Sequence, residues 1–543
     1  VYFRESFTPE EAAVLGRFFT NTDLPVFALV NLPEVVKGAL FARYSRSPKS
    51  LRRLFLDEFV NTAGPAVTAI AEQLTGDEPR VKTKRAEELY ERVFDDFGDD
   101  SVAQLGGAHL ACEQASNILT KVLEWGRLAA YLEQSTRYIF YDQRLGGRYR
   151  YFVPPEVESS HLAAEYVETL DWLFARYSSV VRSLVPYYEQ QFAGAPGGID
   201  GPVRASIRAR SCDTARGLLP AATLSNVGIF ATGQAYESML LRMRAHPLAE
   251  ARSYADLMLS ELRKVVPSFL RRVDLPERGV LWSKYFEQVR LRTEELASSI
   301  GDEPEARPEV VLVDWDRDGE AKIAAAALYA HTDLPDDRLL EIARDMTADE
   351  RAALIRAYVG DRRNRRHKPG RAMERVAYRF DILSDFGSFR DLQRHRMLTI
   401  DWQRLGTRHG YTTPPDIETT GQAAVWREAM ERIAGFYRKL AGELGPEVAQ
   451  YVVPFAFKLR YSMQLNAREA FHMLELRTSP QGHPDYRRIC LEMHRLIREQ
   501  AGHRLIADAM SYINRDSYDL GRLEAERRSA ARRRATDARP GGA

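Results

Sequence analysis

What most limits the fold of this chain is that one order of motifs occurs twice. The first run reads "LTKVLEWGRLAAYLEQSTRY", then "ARGLLPAATLSNVGIF", then "AYESMLLRMRAHP". The second reads "FRDLQRHRMLTIDWQRLGTRHGY", "AQYVVPFAFKLRYSMQ" and "LNAREAFHMLELRTSP". Each passes from an Arg-bearing helix into an aromatic-bearing segment, then through a helix that leads into Leu-Pro or Val-Pro. Each closes on a helix with Met-Leu ahead of an Arg, Arg244 or Arg477. Residue-level similarity is weak while order and spacing agree, and duplication followed by divergence is the simplest account. Matched helices of two copies tend to pair around a pseudo-two-fold axis, as in a C2 dimer.

A length of 543 residues, more than one core usually serves, agrees with two domains. The cut falls at "GDEPEARPE" (Gly301–Glu309), short, charged and Pro-containing. The expected division is a first domain at 1–300, a linker at 301–308, a second domain at 309–515 and a tail at 516–543. The tail's "RRSAARRRATDARPGGA" is Arg-rich and poor in apolar residues, so it is expected to be disordered. A solvated tail is one reading of it, and contact with nucleic acid or an acidic surface is the other.

Lys+Arg 77 against Asp+Glu 76 leaves almost no net charge, which argues against a dedicated polyanion binder. Cys112, Cys212 and Cys490 are far apart and match no zinc or CxxC spacing, which suits thiols in a reducing cytoplasm. No run of about 18 uncharged apolar residues exists, so no membrane span is expected. "VYFRESFTPEE" has neither a basic n-region nor a long apolar h-region, so no secretory signal is read there.

Periodicity points to a helix-dominated chain. "TPEEAAVLGRFF" opens on a Thr8 N-cap, Pro9 at N1 and an acidic first turn. "SVAQLGGAHLACEQASNILTKVLEWGRLAAYLEQS" and "AAEYVETLDWLFARYSSVVRSLVPYYEQQFA" carry apolar residues at helical spacing and read as packed helices. "EVVLVDWD" (Glu309–Asp316) reads as a strand.

Four constellations carry potential chemistry. Arg394-His395-Arg396 offers two planar forks and an imidazole, fit for a phosphate, or else a solvated face of an Arg-rich helix. Asn466, Arg468 and His472 lie on the helix ending at Arg477, with Arg468 and His472 on one face. Capping, or pairing within the helix with Glu469 and Glu475, is the structural alternative. Glu133, Ser135 and Arg137 alternate in "LEQSTRY", which puts three polar groups on one side of an extended segment. Together they suit a polar ring and a phosphate, or simply a polar strand face. Arg216 precedes an apolar turn and by itself reads as an ordinary charge. No GxGxxG after a strand, no Walker loop and no HExxH occurs, and no Cys stands in a nucleophile-like segment.

These residues resemble the flavin-dependent thymidylate synthase family. Its signature runs R-H-R, two residues, Ser, one residue, Asn-Glu, one residue, Ser, one residue, Arg-Tyr. The second copy opens it at Arg394-His395-Arg396 and then departs, with Thr399, Asp401, Trp402, Arg404 and Gly406 at the remaining positions. The first copy does the reverse. Trp125-Gly126 replace the opening Arg-His, Arg127 survives, and Ala130 and Leu132 replace Ser and Asn. Glu133, Ser135, Arg137 and Tyr138 are retained. Arg216 matches the family's phosphate Arg, where the second copy has Gln450. Asn466, Arg468 and His472 match its flavin-binding helix, where the first copy has Gly233, Ala235 and Met239. Each copy has kept what the other lost.

The resemblance implies an α+β fold. It would hold two tandem thymidylate-synthase-complementing-protein-like domains, helix-rich with small antiparallel sheets and a pseudo-two-fold arrangement. It implies one composite active site made of complementary parts from the two copies, the other site being dead. FAD would be held by Arg394, His395, Arg396, Asn466, Arg468 and His472. A uracil nucleotide of the dUMP kind would be held by Glu133, Ser135, Arg137, Arg216 and Arg477, with Arg477 and Ser135 nearest the chemistry. The implied reaction is reductive methylation to dTMP, with NADPH and methylenetetrahydrofolate as cosubstrates and no cysteine nucleophile. On the family's tetrameric pattern the implied assembly is a homodimer, a pseudo-tetramer. Asp391 stands where the family usually has a nucleotide-contacting Gln. Flavin-dependent modification of another pyrimidine nucleotide, a non-catalytic flavin or nucleotide sensor, and nucleic-acid binding through the tail are the alternatives.

Overall fold

The computed structural model describes residues 2–60, 104, 106–137, 139–194, 198–301, 303–516, 523–524, 527–528 and 530–531. Tyr138 and most of the Arg-rich tail lie outside them. The described tail residues between 523 and 531 are helical, and Leu523 among them is buried, unlike the coil expected there.

Two four-stranded antiparallel sheets carry the fold. Strands β1 (Val26–Leu29), β2 (Gly107–Ser116), β3 (Ala129–Glu133) and β4 (Leu224–Thr232) are ordered β1-β2-β4-β3. Strands β5 (Val310–Trp315), β6 (Ala377–Asp385), β7 (Leu398–Trp402) and β8 (Lys458–Asn466) are ordered β5-β6-β8-β7. The same order in both sheets is the duplication seen as topology. The helices used below are α1 (Pro9–Leu15), α2 (Asn117–Leu123), α3 (Ala163–Phe192), α4 (Gly201–Ala215), α5 (Gly233–Arg244), α6 (Ala249–Arg263), α7 (Gly279–Ala297), α8 (Phe386–Leu392), α9 (Ala423–Leu444), α10 (Ala467–Arg477) and α11 (Pro484–Glu499).

The compact units do not follow the linear order of the chain. One comprises Val1–Ser179, Leu218–Glu303 and Arg427–Val453; the other comprises Val180–Gly217, Pro304–Trp426 and Pro454–Ala543. Each therefore combines one repeat's sheet with helical chain from the other repeat. The expected spans 1–300 and 309–515 describe repeats in sequence, whereas the spatial units interleave.

In the unit on the first sheet, α9 joins α3 and the turn before it through Lys439 and Glu165, Glu443 and His161 (3.0 Å), and the Arg432 guanidinium 4.5 Å from the Trp172 ring. An aromatic cluster of Phe18, Phe19, Phe27 and Phe55 fills the space beside β1. In the unit on the second sheet, Tyr188 donates to Asp416 (2.6 Å), and Tyr188 and Thr214 share a 2.7 Å hydroxyl contact. Gly217 is required beside Trp426, because a Cβ there would stand 2.6 Å from the indole.

Local expectations met the structure unevenly. Thr8 caps α1 in a full capping box with Glu11, and "EVVLVDWD" contains β5. The long run "SVAQLGGAHLACEQASNILTKVLEWGRLAAYLEQS", read as helix, instead forms β2, the short α2 and β3. β2 lies between β1 and β4 and is covered on both faces, so it shows no alternation, and its Ala, Leu, Gln and Glu look helical. Arg394-His395-Arg396 also leave the expected helix: α8 ends at Leu392, and the three residues form the turn before β7.

Candidate functional site

The unit on the second sheet gathers most of the expected site. β6 runs into α8, whose N-cap Asp385 accepts from Ser388 N (2.8 Å) and Ser388 Oγ (2.7 Å). β8 runs into α10, whose N-cap Asn466 accepts from Glu469 N (2.9 Å). These two strand-to-helix corners present the Arg-His-Arg turn and the Asn-x-Arg helix to each other.

His395 is the joint between them. It is 5% exposed, its Nε2 accepts from Arg477 Nε (2.9 Å), and its Nδ1 faces Glu469 Oε1 (2.9 Å). A guanidinium only donates, so Nε2 carries the lone pair and the proton sits on Nδ1, donated to Glu469. Burial, with Arg477 adding to it, holds the imidazole down at about 4, so it is neutral near pH 7. Glu469 also faces His472 Nδ1 (3.2 Å), and the two imidazole rings are 5.2 Å apart. Burial alone would raise the Glu469 carboxyl, but the bonds from His395 and His472 prevail and hold it at about 2. His395, Glu469 and His472 are spaced as a cation's ligands would be. The Arg477 bond opposes that use, since it leaves no lone pair on the Nδ1 that faces the cluster.

The remaining partners are specific. Arg468 Nε donates to Pro369 O (3.0 Å) and its Nη1 to Glu374 (3.2 Å), while Arg362 grips Glu475 with two 2.6 Å bonds. The expected pairing within the helix therefore occurs only between His472 and Glu469; Glu475 and Arg468 bind chain outside α10. Arg477 lies 5.5 Å from the Tyr486 ring centroid.

Arg216, from the first repeat, belongs to this same unit. Its Nη1 is 3.3 Å from Asp391 Oδ2, and Asp391 Oδ1 is 3.7 Å from Arg394 Nη1. Burial pushes the Asp385 carboxyl up against the pull of Arg216, and burial with Asp385 nearby pushes Asp485 up as well. One buried guanidinium thus pairs with Asp391 and acts electrostatically on Asp385 and Asp485. Asp391 stands out in the sequence at the family's Gln position, whereas Asp385 and Asp485 do not. Asp385 was recoverable as an Asp three residues before Ser388 at a helix start, whereas Asp485 carries no local signal.

Glu133, Ser135 and Arg137 belong to the unit on the first sheet. Glu133 ends β3 with its carboxylate buried, 3.2 Å from Lys121 Nζ, which also holds Glu124 at 2.6 Å. Ser135 N donates to Ser45 O (2.9 Å), and Ser135 Oγ accepts from Arg137 N (3.3 Å). Only Glu133 is in the strand; Ser135 follows it and Arg137 lies in a turn, so the alternation expected of one extended face stops at the end of β3. Trp125, in place of the signature's first Arg, lies 4.0 Å from the Arg242 guanidinium, whose burial lowers it to about 10.

The chain matches the family described as "Thymidylate synthase complementing protein" at residues 58–268 and again at 311–502. The two matches hold β2–β4 and most of the second sheet respectively. It belongs to the thymidylate synthase complementing protein family. Within this family it is 39% identical to a UPF0159 protein of Chlamydia muridarum over 97% of this chain and 99% of that one. It is 30% identical to a UPF0159 protein of Thermoplasma acidophilum over 90% and 97% of the two chains. A protein of Clostridium tetani named flavin-dependent thymidylate synthase is 26% identical over 32% of this chain and 66% of its own length. No helix among the described residues is long and apolar enough to cross a membrane.

Proposed function

We propose that this family member is an FAD-dependent thymidylate-synthase-like enzyme that reductively methylates a uracil nucleotide of the dUMP class to dTMP, with NADPH and methylenetetrahydrofolate as cosubstrates. The observation that carries the reading is the position of Arg216. This first-repeat residue stands in the same unit as the second repeat's Arg394, His395, Arg396 and Arg477 and shares Asp391 with Arg394. A site divided between two diverged copies requires that kind of meeting.

The donor set suits a flavin nucleotide. Arg394, Arg396 and Arg468 are half-buried guanidiniums, the groups that grip a diphosphate. Asn466 uses Oδ1 in its cap and keeps its amide NH2 as a donor, and His472 keeps Nε2 outside its bond to Glu469. When bound, FAD supplies the redox chemistry. His395, locked by Arg477 and Glu469, orients the Arg-His-Arg turn. Arg477 offers positive charge to a pyrimidine that becomes electron-rich, and the low-dielectric surroundings strengthen that effect. Glu133, Ser135 and Arg137 are assigned to the nucleotide on the signature alone, with Ser135 nearest the reacting ring. Trp125 on Arg242 supports a first-repeat counterpart that no longer binds flavin.

The reading also places the protein in the cytoplasm, with Cys112, Cys212 and Cys490 buried and outside any disulfide, and makes it a homodimer. A second reading, action on another pyrimidine nucleotide, is favoured by the pairing of Arg216 with Asp391 and its electrostatic coupling to Asp385 and Asp485, an acidic neighbourhood for a nucleotide phosphate.

The test is genetic and enzymatic. The chain is expected to rescue a thymidine auxotroph, and the purified yellow protein to oxidise NADPH faster with dUMP while releasing tritium from its 5-position. A flavin-loaded protein with neither response to dUMP would reject the synthase reading, and the same assay with other pyrimidine nucleotides would test the second.

A further inference from the structure

The unit on the first sheet contains a cavity of about 810 Å3 to which none of the motif residues contributes. That volume lies within the range of small-molecule sites. Its walls come from the segment after the signature, Tyr149–Phe152, from the N-terminal Tyr2 and Phe3, and from the start of α6.

Three features set it apart from a packing gap. First, the backbone around it is strained. β2 shifts register between Cys112 and Ala115, and Gln114 there adopts φ 55°, a left-handed conformation that disfavours any residue but glycine. The Gln114 amide is held to Phe3 by two bonds, from Phe3 N (2.9 Å) and to Phe3 O (3.0 Å), and both residues line the cavity. Gly146, at φ 59°, lets the facing turn approach Phe3, where a Cβ would stand 2.8 Å from the ring.

Second, the lining is aromatic. Tyr149 and Tyr151 are fixed from behind by Phe174 (5.3 and 5.6 Å between centroids), Phe152 by Tyr451 (5.3 Å), and Tyr2 by Tyr254 (6.0 Å). Rings held in this way offer a preformed stacking surface.

Third, two arginines line the cavity without a carboxylate partner, while of its three acids Asp171 and Glu250 are engaged and Glu158 is exposed. Asp171 accepts from the Tyr151 hydroxyl (2.8 Å). Glu250 accepts from Ser116 N (2.8 Å), Ser116 Oγ (2.6 Å) and the Tyr451 hydroxyl (2.8 Å), and burial pushes it up to about 7. Among the described residues Arg148 and Arg150 have no carboxylate within 4 Å, and the buried Nε of Arg150 has no hydrogen-bond partner there; its guanidinium lies 5.9 Å from the Tyr141 ring. Arg150 precedes the bridged Tyr151, whereas Gly410 precedes the equivalently bridged Tyr411 in the second repeat, so this cation is particular to the first.

We propose that this cavity binds a small planar aromatic molecule carrying one anionic group, the ring stacked on the tyrosine wall and the anion held by Arg150 and Arg148. The site is separate from the proposed flavin and nucleotide residues and does not depend on that reading.

The test uses the full chain and the fluorescent aromatic anion 8-anilino-1-naphthalenesulfonate. Saturable binding is expected, reversed by 4-aminobenzoate or AMP but not by adenosine or inorganic phosphate alone; whichever anion competes identifies carboxylate or phosphate as the group recognised. Arg148→Ala/Arg150→Ala should weaken the dye at least tenfold without lowering the melting temperature, Arg150→Lys should recover part of the affinity, and Arg477→Ala should leave it unchanged. Dye binding unaffected by the double substitution, equal competition by adenosine, or competition by neither anion would overturn the proposal, as would loss of dye binding in Arg477→Ala.

Discussion

At the scale of residues, the site turns on one tautomer. Arg477 donates to His395 Nε2, so His395 must donate through Nδ1, and Glu469 is the acceptor placed for it. The imidazole's value of about 4 lies below the unfolded value of about 6.5. The folded state therefore binds fewer protons than the unfolded one between those values. The resulting stabilisation is complete above about pH 6.5 and is lost as pH falls towards 4, up to about 3 kcal/mol. Melting temperature against pH should show that loss, and His395→Gln should flatten the profile in this window; an unchanged profile would remove His395 as its source. The asymmetry of the copies makes a second prediction. Arg396→Ala should abolish flavin retention on gel filtration, whereas Arg127→Ala, in the repeat where Trp125 covers Arg242, should retain it. Equal losses would reject a single flavin site.

At the scale of elements, strand-to-helix corners hold buried titratable groups in both repeats. Ser116, which ends β2, caps α2 through Leu119 N (3.0 Å) and donates to Glu250 on α6. Burial, offset in part by those bonds, raises Glu250 from 4.5 to about 7, so the folded state holds a proton that the unfolded state has lost. Stability should fall as pH rises through that window, by up to about 3 kcal/mol. Glu250→Gln should remove the slope, as read from urea midpoints at pH 5 and pH 8. The elements were also where local reading succeeded or failed for visible reasons. α1 was legible because Thr8, Pro9 and Glu11 act within one turn, and β5 because its β-branched run is short and bounded. β2 and β3 were not, because their Ala, Leu and Glu prefer helix and only pairing with β4 makes them strands. The Arg-His-Arg motif was placed on a helix for the same reason, although α8 stops before it.

At the scale of the whole molecule, each compact unit needs chain from both repeats. One surface feature bears on assembly. α7 exposes Leu281, Trp282, Tyr285 and Val289 along one side, with Trp282 53% exposed. Apolar stripes of this kind usually meet a partner. If α7 serves the proposed homodimer, Trp282→Asp/Tyr285→Asp should convert a dimer of this chain to monomer in sedimentation velocity with its melting temperature retained. A dimer that persists would assign the contact elsewhere.

By itself the sequence determined the duplication and the complementary survival of motifs, and it supplied the candidate binding residues. These depend on residue type and spacing, which survive in one dimension. Only tertiary structure decided that Arg216 shares a unit with Arg394 and Arg477, that Glu469 reaches His395 as well as His472, and that Arg216 meets Asp391. His395 and Glu469 are 74 positions apart, and Arg216 and Asp391 are 175 apart. Chain that far apart meets only when strands pair and buried helices pack, so no window along the sequence contains the information.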